Sequence, residues 1–230
     1  MTRPRLAVLN AAEGNPHTTR NFRRELEGSL AEFDVTERQL PAGTDFDGVV
    51  ITGSRTSVYW DEPWIEETKA WMDTAADRGL PALGVCWGHQ LLADVLGGTV
   101  EPMGAYEVGF SEVTHTGEGQ LFEDIGSPFL AFTSHRDAVT ELPPDAVETA
   151  RNEHSIHGFE QPPFYGVQFH PEYDMDAARA LIREKDLEPD RRAALLEEVT
   201  EANYRQAREA TLVFENVLEL VRSDLDAPRV

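Results

Sequence analysis

One segment constrains the fold more than any other: Pro81-Ala-Leu-Gly-Val-Cys86-Trp-Gly-His-Gln-Leu-Leu. Residues 82–85 are an apolar run of strand length, and residues 87–96 carry helical patterning. Between them stands Gly84-x-Cys86-x-Gly88. The same spacing around serine is the nucleophile elbow, a tight strand-to-helix turn that pushes a reactive side chain out of a sheet. Glycines flank such a turn because strand and helix backbones pass too close for side chains. A cysteine placed there sits at a helix amino terminus, whose partial positive charge favours thiolate over thiol. Lone cysteines are more commonly inert and buried. The two glycines and the strand-helix context point instead to a nucleophile.

The rest of the amino-terminal half agrees with a sheet wound by helices. Residues 6–10 read as a buried first strand. Thr18 is positioned to cap a helix with Phe22 and Leu26 on one face. Phe33 with Val35, and then residues 47–52, supply two more strands. Ile65, Thr68, Trp71, Met72 and Ala75 mark one face of a helix between Glu62 and Arg78, ended by Gly79 and Pro81. Strands alternating with helices imply an α/β fold with a doubly wound, mostly parallel sheet. After Gly97-Gly98 the pattern changes to hairpin-like strands at 99–101, 106–115, 129–132, 146–150 and 164–169, added to the parallel sheet, which thereby gains antiparallel strands. From about residue 176 the chain reads as helical, with one bent helix or two over 190–221. Leu196, Val199, Val213, Val217 and Leu220 pack that stretch on the domain. The expectation is a single domain over 1–230 with a helical carboxy-terminal extension.

Composition narrows the partners. The chain has 230 residues, 40% of them hydrophobic, enough for a core without disulfides or metal. Forty-two acidic residues face twenty basic ones, for a net charge of −22, and Lys69 and Lys185 are the only lysines. That balance argues against nucleic-acid binding, which needs basic clusters to displace counterions, and against anionic membrane surfaces. No stretch approaches the length of a membrane span. One cysteine cannot form an internal disulfide and fits a reducing cytosol. The expectation is a cytoplasmic protein, with acidity resembling that of proteins from salt-accumulating halophiles.

A thiolate needs a base, and seven histidines compete. His170 ends Tyr165-Gly-Val-Gln-Phe-His-Pro-Glu172. If this segment is extended past Pro171, Gln168, His170 and Glu172 share one face, and the carboxylate orients the imidazole. Alone this would be an ordinary surface pair; joined to the elbow it completes a Cys86, His170, Glu172 triad. His154-Ser-Ile-His157 has the look of two metal ligands but lacks a carboxylate or cysteine at suitable spacing, so it reads as a loop and no metal is expected. His89, a helical turn after Cys86, is assigned to structure. Trp60, Trp64 and Trp71 read as core and helix-packing residues, with Tyr59, Trp60 and Asp61 also near enough to the Gly53 loop for a place on a pocket rim.

The elbow together with Gly166-Val-Gln-Phe-His-Pro-Glu resembles the class I, triad-type glutamine amidotransferases, in order from the first strand to about Glu172. Residues 50–59 and the segment Ser134-His-Arg-Asp-Ala-Val are similar to stand-alone, GMP-synthase-like members. The resemblance implies a flavodoxin-like fold and a cofactor-free glutaminase. In it Cys86 is the nucleophile, His170 the acid–base and Glu172 its partner. Backbone N–H groups of Trp87 and of Gly53 or Ser54 form the oxyanion hole, while Gln90, Ser134 and His135 contact substrate. Two positions depart from the family pattern: Gly53-Ser54-Arg55 stands where Gly-Gly-Pro is frequent, and Arg136 where glycine is frequent. Ammonia would pass to a separate ATP-dependent synthase subunit. A γ-glutamyl amide or peptide hydrolase uses the same triad, and a non-catalytic regulatory module is the third reading.

Overall fold

The computed structural model describes residues 3–226. Among the described residues nine strands form one sheet in the order β2-β1-β3-β4-β9-β8-β7-β5-β6. Five neighbours, β2 (Ser29–Asp34), β1 (Arg5–Asn10), β3 (Gly48–Ile51), β4 (Ala82–Val85) and β9 (Phe164–Val167), pair in parallel. The others, β8 (Ile156–Gln161), β7 (Val147–Arg151), β5 (Thr99–His115) and β6 (Phe129–Glu141), extend it antiparallel.

The parallel strands are short apolar runs because both faces are covered. Side chains alternate with period two. Leu6, Val8, Val50, Leu83, Val85 and Val167 enter a core with α1 (Pro16–Glu25) and α7 (Leu212–Asp226). Leu9, Val49, Ile51, Ala82 and Phe164 enter a second core with α2 (Pro63–Asp77) and α3 (Trp87–Val95). A one-residue slip of any strand would exchange the two sets, so burial on both faces fixes the register. On β5 and β6 a third apolar cluster, including Val108, Phe132, Ile182 and Leu195, seats α4 (Met175–Glu184) and α5 (Pro189–Glu198). No helix among the described residues is long and apolar enough to cross a membrane.

Several local expectations need correction. Asn15, not Thr18, caps α1: its side chain accepts from the His17 N–H, and Pro16 begins the helix with no N–H to satisfy. Val35 lies in a one-turn 3-10 segment, Val35–Glu37, because the Asp34 side chain accepts from the Thr36 and Glu37 N–H groups and turns the chain. The strands anticipated at 99–101 and 106–115 are one strand, irregular between Pro102 and Glu107. The segment 154–157 is not a loop throughout, since Ile156 opens β8. The carboxy-terminal stretch is broken more than once, into α5, α6 (Glu201–Ala207), a 3-10 turn and α7, with Thr200 capping α6. The anticipated packing positions fare better: Val199, Val213 and Val217 are buried, and Leu196 and Leu220 are partly so.

The elbow dictates how α3 lies on the sheet. A Cβ on Gly84 would sit 2.2 Å from the Gly88 carbonyl oxygen, and one on Gly88 would sit 2.4 Å from that of Ile51. Both obstacles are backbone and cannot step aside. Gly88→Ala is expected to lower the unfolding free energy by about 1–3 kcal/mol through forced displacement of α3. Gly43→Ala, with nothing within 4 Å of the new carbon, is the control and should change stability by less than about 1 kcal/mol. Denaturant unfolding of both variants checks this.

Candidate active site

Cys86 is the residue between β4 and α3, held at φ 55° and ψ −105°. Side chains rarely tolerate this region, which costs about 1–3 kcal/mol. Its N–H donates to the Val167 carbonyl at 2.8 Å, and its own carbonyl accepts from the Gln90 N–H at 3.1 Å. The turn throws the side chain beyond the carboxyl edge of the sheet, at the amino end of α3. There Sγ lies 3.8 Å from the Ser134 carbonyl oxygen.

His170 reaches the same place from the end of β9. Its N–H donates to the Phe132 carbonyl at 2.8 Å, and its Nδ1 donates to Glu172 Oε1 at 2.9 Å. The strand stops at Val167, four residues short of Pro171, so the His170–Glu172 pairing does not come from continued strand alternation. The Tyr173 ring packs on the imidazole with centroids 4.4 Å apart. Arg24 from α1 donates to the Glu172 carbonyl at 2.7 Å. A Cβ built on Gly53 would fall 2.9 Å from His170 Cε1 and 3.5 Å from Cys86 Cβ, so the backbone after β3 closes over both groups. Cys86, His170 and Glu172 are all buried.

Burial by itself would lower the His170 pKa. The negative charges of Cys86 and Glu172, with hydrogen bonds to both, outweigh it and push the imidazole up to about 10. The His170 imidazole is therefore held protonated at neutral pH, between the Cys86 sulfur and the Glu172 carboxylate.

Two cavities meet at this point. One, of about 260 Å³, is lined by Gly53, Ser54, His170 and Tyr173 and runs toward α4 and the start of α1. The other, of about 70 Å³, is lined by Cys86, Trp87, Gln90, Arg136, Asp137 and Lys185. Ser54, Arg55, Ser134 and Lys185 border both.

Of the anticipated contact residues, Gln90 lines the smaller cavity, but its amide NH₂ is committed to the Asp137 carbonyl at 2.9 Å and Gln168 Oε1 at 3.0 Å. Ser134 shares a 3.0 Å hydrogen bond with the Tyr106 hydroxyl. This segment is strand β6 rather than a loop, and the His135 imidazole turns inward, toward the Asp137 carbonyl and Glu107. Trp64 is buried and Trp71 half-buried, as core residues should be. Trp60 is not: it is 40% exposed, and the Arg136 guanidinium lies 5.3 Å from its ring. Tyr59 reaches the site through Asp137, donating to its carboxylate at 2.9 Å. Burial, reinforced by His157 and His135, holds His89 neutral with a pKa of about 3, and it lines neither cavity.

Sequence reasoning missed one constellation. Glu107, His135 and His157 converge from β5, β6 and β8, with donor atoms within 4.8 Å of one another. Spacings of 28 and 22 residues on three strands carry no local signature. The cationic lining from Lys185 was equally invisible, whereas Arg136 had drawn notice as a departure.

The Glutamine amidotransferase class-I family model matches residues 17–187. GMP synthase [glutamine-hydrolyzing] of Aliivibrio fischeri (strain MJ11) is 36% identical over 148 residues, 62% of this chain; the chain spans 27% of that relative's length. A gamma-glutamyl-L-1-hydroxyisopropylamide hydrolase of a Pseudomonas species is 35% identical over 169 residues, 65% of this chain and 57% of that protein. Among solved structures, the fold is similar to glutamine amidotransferases of Thermotoga maritima (TM-score 0.78, 21% identity, 96% of this chain and 99% of that one) and Methylobacillus flagellatus (TM-score 0.78, 22%, 95% of each).

His170 should stay protonated across neutral pH. Its folded value of about 10 lies above the ordinary 6.5, so the stability it contributes is complete below about pH 6.5 and is lost as pH rises toward 10. Histidine NMR titration should show a midpoint well above 6.5 that moves down in Glu172→Gln, which removes one of the two supporting charges. An ordinary midpoint in the unsubstituted protein would contradict the ion-pair geometry.

Proposed function

The chain belongs to the class-I glutamine amidotransferase family, and from that premise we propose that it hydrolyses the side-chain amide of glutamine with Cys86, His170 and Glu172 as its triad. The observation that carries this reading is a strained, buried Cys86 beside an imidazole bound at 2.9 Å to a buried carboxylate, where two cavities meet. The Cys86 thiolate adds to the carboxamide carbon. The Trp87 N–H, in the first turn of α3 and without an intrahelical partner, stabilises the oxyanion with a backbone N–H of the Gly53–Ser54 turn. The C–N bond breaks as the His170 imidazolium protonates the leaving ammonia. Neutral His170 then takes a proton from water, whose oxygen attacks the thioester carbon. Glutamate leaves, and the thiolate–imidazolium pair is restored.

The smaller cavity suits the amino-acid end of the substrate. Arg136 and Lys185 supply positive charge for an α-carboxylate, and Asp137 supplies negative charge for an α-ammonium. The leaving amine then faces the larger cavity. Ammonia released there would serve a synthase on a separate subunit, in keeping with the GMP synthase relatives.

A second reading has one specific support. The larger cavity, about 260 Å³, exceeds what ammonia needs and would admit a substituted amine. A γ-glutamyl alkylamide is the corresponding substrate, as the name of the Pseudomonas relative describes for that protein.

Glutamate release from glutamine and from a γ-glutamyl alkylamide, measured side by side, separates the two by their kcat/KM values. Cys86→Ala should cut either activity by about 10⁴-fold or more. Arg136→Ala should raise KM about tenfold, the worth of one charge-assisted hydrogen bond, with kcat little changed. An unchanged KM would remove Arg136 from the substrate site. Full activity in Cys86→Ala would overturn the mechanism.

A further inference from the structure

The Glu107, His135 and His157 cluster has no part in the proposed hydrolysis, yet its protonation is tightly constrained. His135 Nδ1 lies 3.0 Å from the Asp137 carbonyl oxygen. A carbonyl only accepts, so Nδ1 carries the hydrogen and Nε2 of the neutral ring is a lone pair. That Nε2 stands 2.9 Å from Glu107 Oε2, an oxygen that also has only lone pairs to offer. His157 Nε2 lies 3.5 Å from the same oxygen. These side chains are 2%, 8% and 0% exposed for His135, Glu107 and His157. The His135 Nε2 and Glu107 Oε2 lone pairs, facing each other at 2.9 Å away from water, require a positive charge between them.

A proton or a metal ion could supply it, and the angles distinguish the two. In a hydrogen bond the N–H points along the line to its acceptor. Here Glu107 Oε2, His135 Nε2 and His157 Nε2 make no contact that meets hydrogen-bond geometry, despite the short distances. Ligands of a metal instead aim at a common point off the lines that join them. Tetrahedral zinc with bonds of about 2.0–2.1 Å separates its donors by roughly 3.3 Å, and the two separations here bracket that value. The outer contacts also suit ligands: His135 Nδ1 donates to a backbone carbonyl, and Glu107 Oε1 accepts from Asn152 Nδ2 at 2.7 Å.

We propose that Glu107, His135 and His157 form a buried binding site for a divalent transition-metal ion of the zinc type, with a fourth position for water. Two imidazoles and one carboxylate are a donor set that such ions favour over magnesium or calcium. The ion would tie β5, β6 and β8 together directly behind Ser134, whose carbonyl faces Cys86. It would thus be a structural ion whose removal loosens the wall of the nucleophile's pocket.

The test uses the full chain carrying Cys86→Ala, so that the nucleophile cannot bind metal itself. Metal-stripped protein is titrated with Co²⁺, then with Zn²⁺. The expected result is one equivalent of Co²⁺ with the visible d–d absorption of a four- or five-coordinate site, displaced by Zn²⁺. His157→Gln and Glu107→Gln in the same background should each weaken binding by about 100-fold or more. Folding of both is verified by circular dichroism, and either suffices if the other unfolds. Absence of the absorption, or equal binding after His157→Gln, would overturn the proposal. So would histidine NMR of the metal-free chain showing His135 protonated on both nitrogens and unmoved by Zn²⁺, for a proton would then hold the cluster.

Discussion

The structure depends on the backbone at Cys86, a non-glycine residue held at φ 55°. Nothing in its own side chain favours that conformation, so its surroundings must impose it. They do so through the N–H bond to Val167, the first hydrogen bond of α3 to its carbonyl, and the passage of α3 against β3 at a distance only Gly88 permits. The cost of about 1–3 kcal/mol is offset by burial of the apolar face of α3, where Trp87, Leu91 and Leu92 are each at most 1% exposed. A single fully buried side chain of this size contributes about as much, so the strain is stable only while α3 stays docked.

Sheet order turns that local constraint into a site. β3, β4 and β9 are neighbours and parallel, so the chain leaves all three at one edge: Gly53 after β3, Cys86 after β4, His170 after β9. Open α/β sheets bind ligands at such carboxyl edges. The antiparallel extension does the rest. β6 is last in the strand order, yet it returns over this edge, giving the Phe132 carbonyl to the His170 N–H and the Asp137 carbonyl to Gln90. The two halves of the sheet are joined at the site itself.

This geometry explains what the sequence made legible. The elbow was readable because its determinants are contiguous: an apolar strand, two glycines and a helical run within a dozen residues. Helix α2 was readable to within a residue for the same reason, since its buried face repeats along one stretch. The His170–Glu172 pairing was visible, but its cause was misjudged. Strand alternation was expected to align the two, whereas the chain leaves the strand at Val167 and is held by bonds to β6 and α1. Residues brought together from separate strands left no trace. Glu107, His135 and His157 occupy three of them, and β8 itself was hidden because its first residues follow a turn rich in polar side chains. The inward turn of His135 was equally hidden, because Ser134 and His135 both border the smaller cavity and the pattern does not say that the imidazole is committed to the Asp137 carbonyl and Glu107.

Charge gives the proposed chemistry its last physical element. A chain of net charge −22 repels anions from any distance at which salt does not screen it, about 8–10 Å at ordinary ionic strength. Against that field the smaller cavity is bordered by Arg136 and Lys185, the latter one of only two lysines. Each is held by an aromatic face, Trp60 under Arg136 and Tyr106 under Lys185 at 5.3 and 4.7 Å. An uncharged aromatic fixes a cation without neutralising it, so both remain free to meet a carboxylate. Glutamine is a neutral zwitterion, indifferent to the long-range field and sensitive only to this local one. Glutamate, with one more negative charge, gains little from the cavity that glutamine did not and feels the repulsion of the whole molecule. On the proposed reading, the acidic surface therefore does not oppose substrate capture, and it biases the exchange of product for substrate toward release.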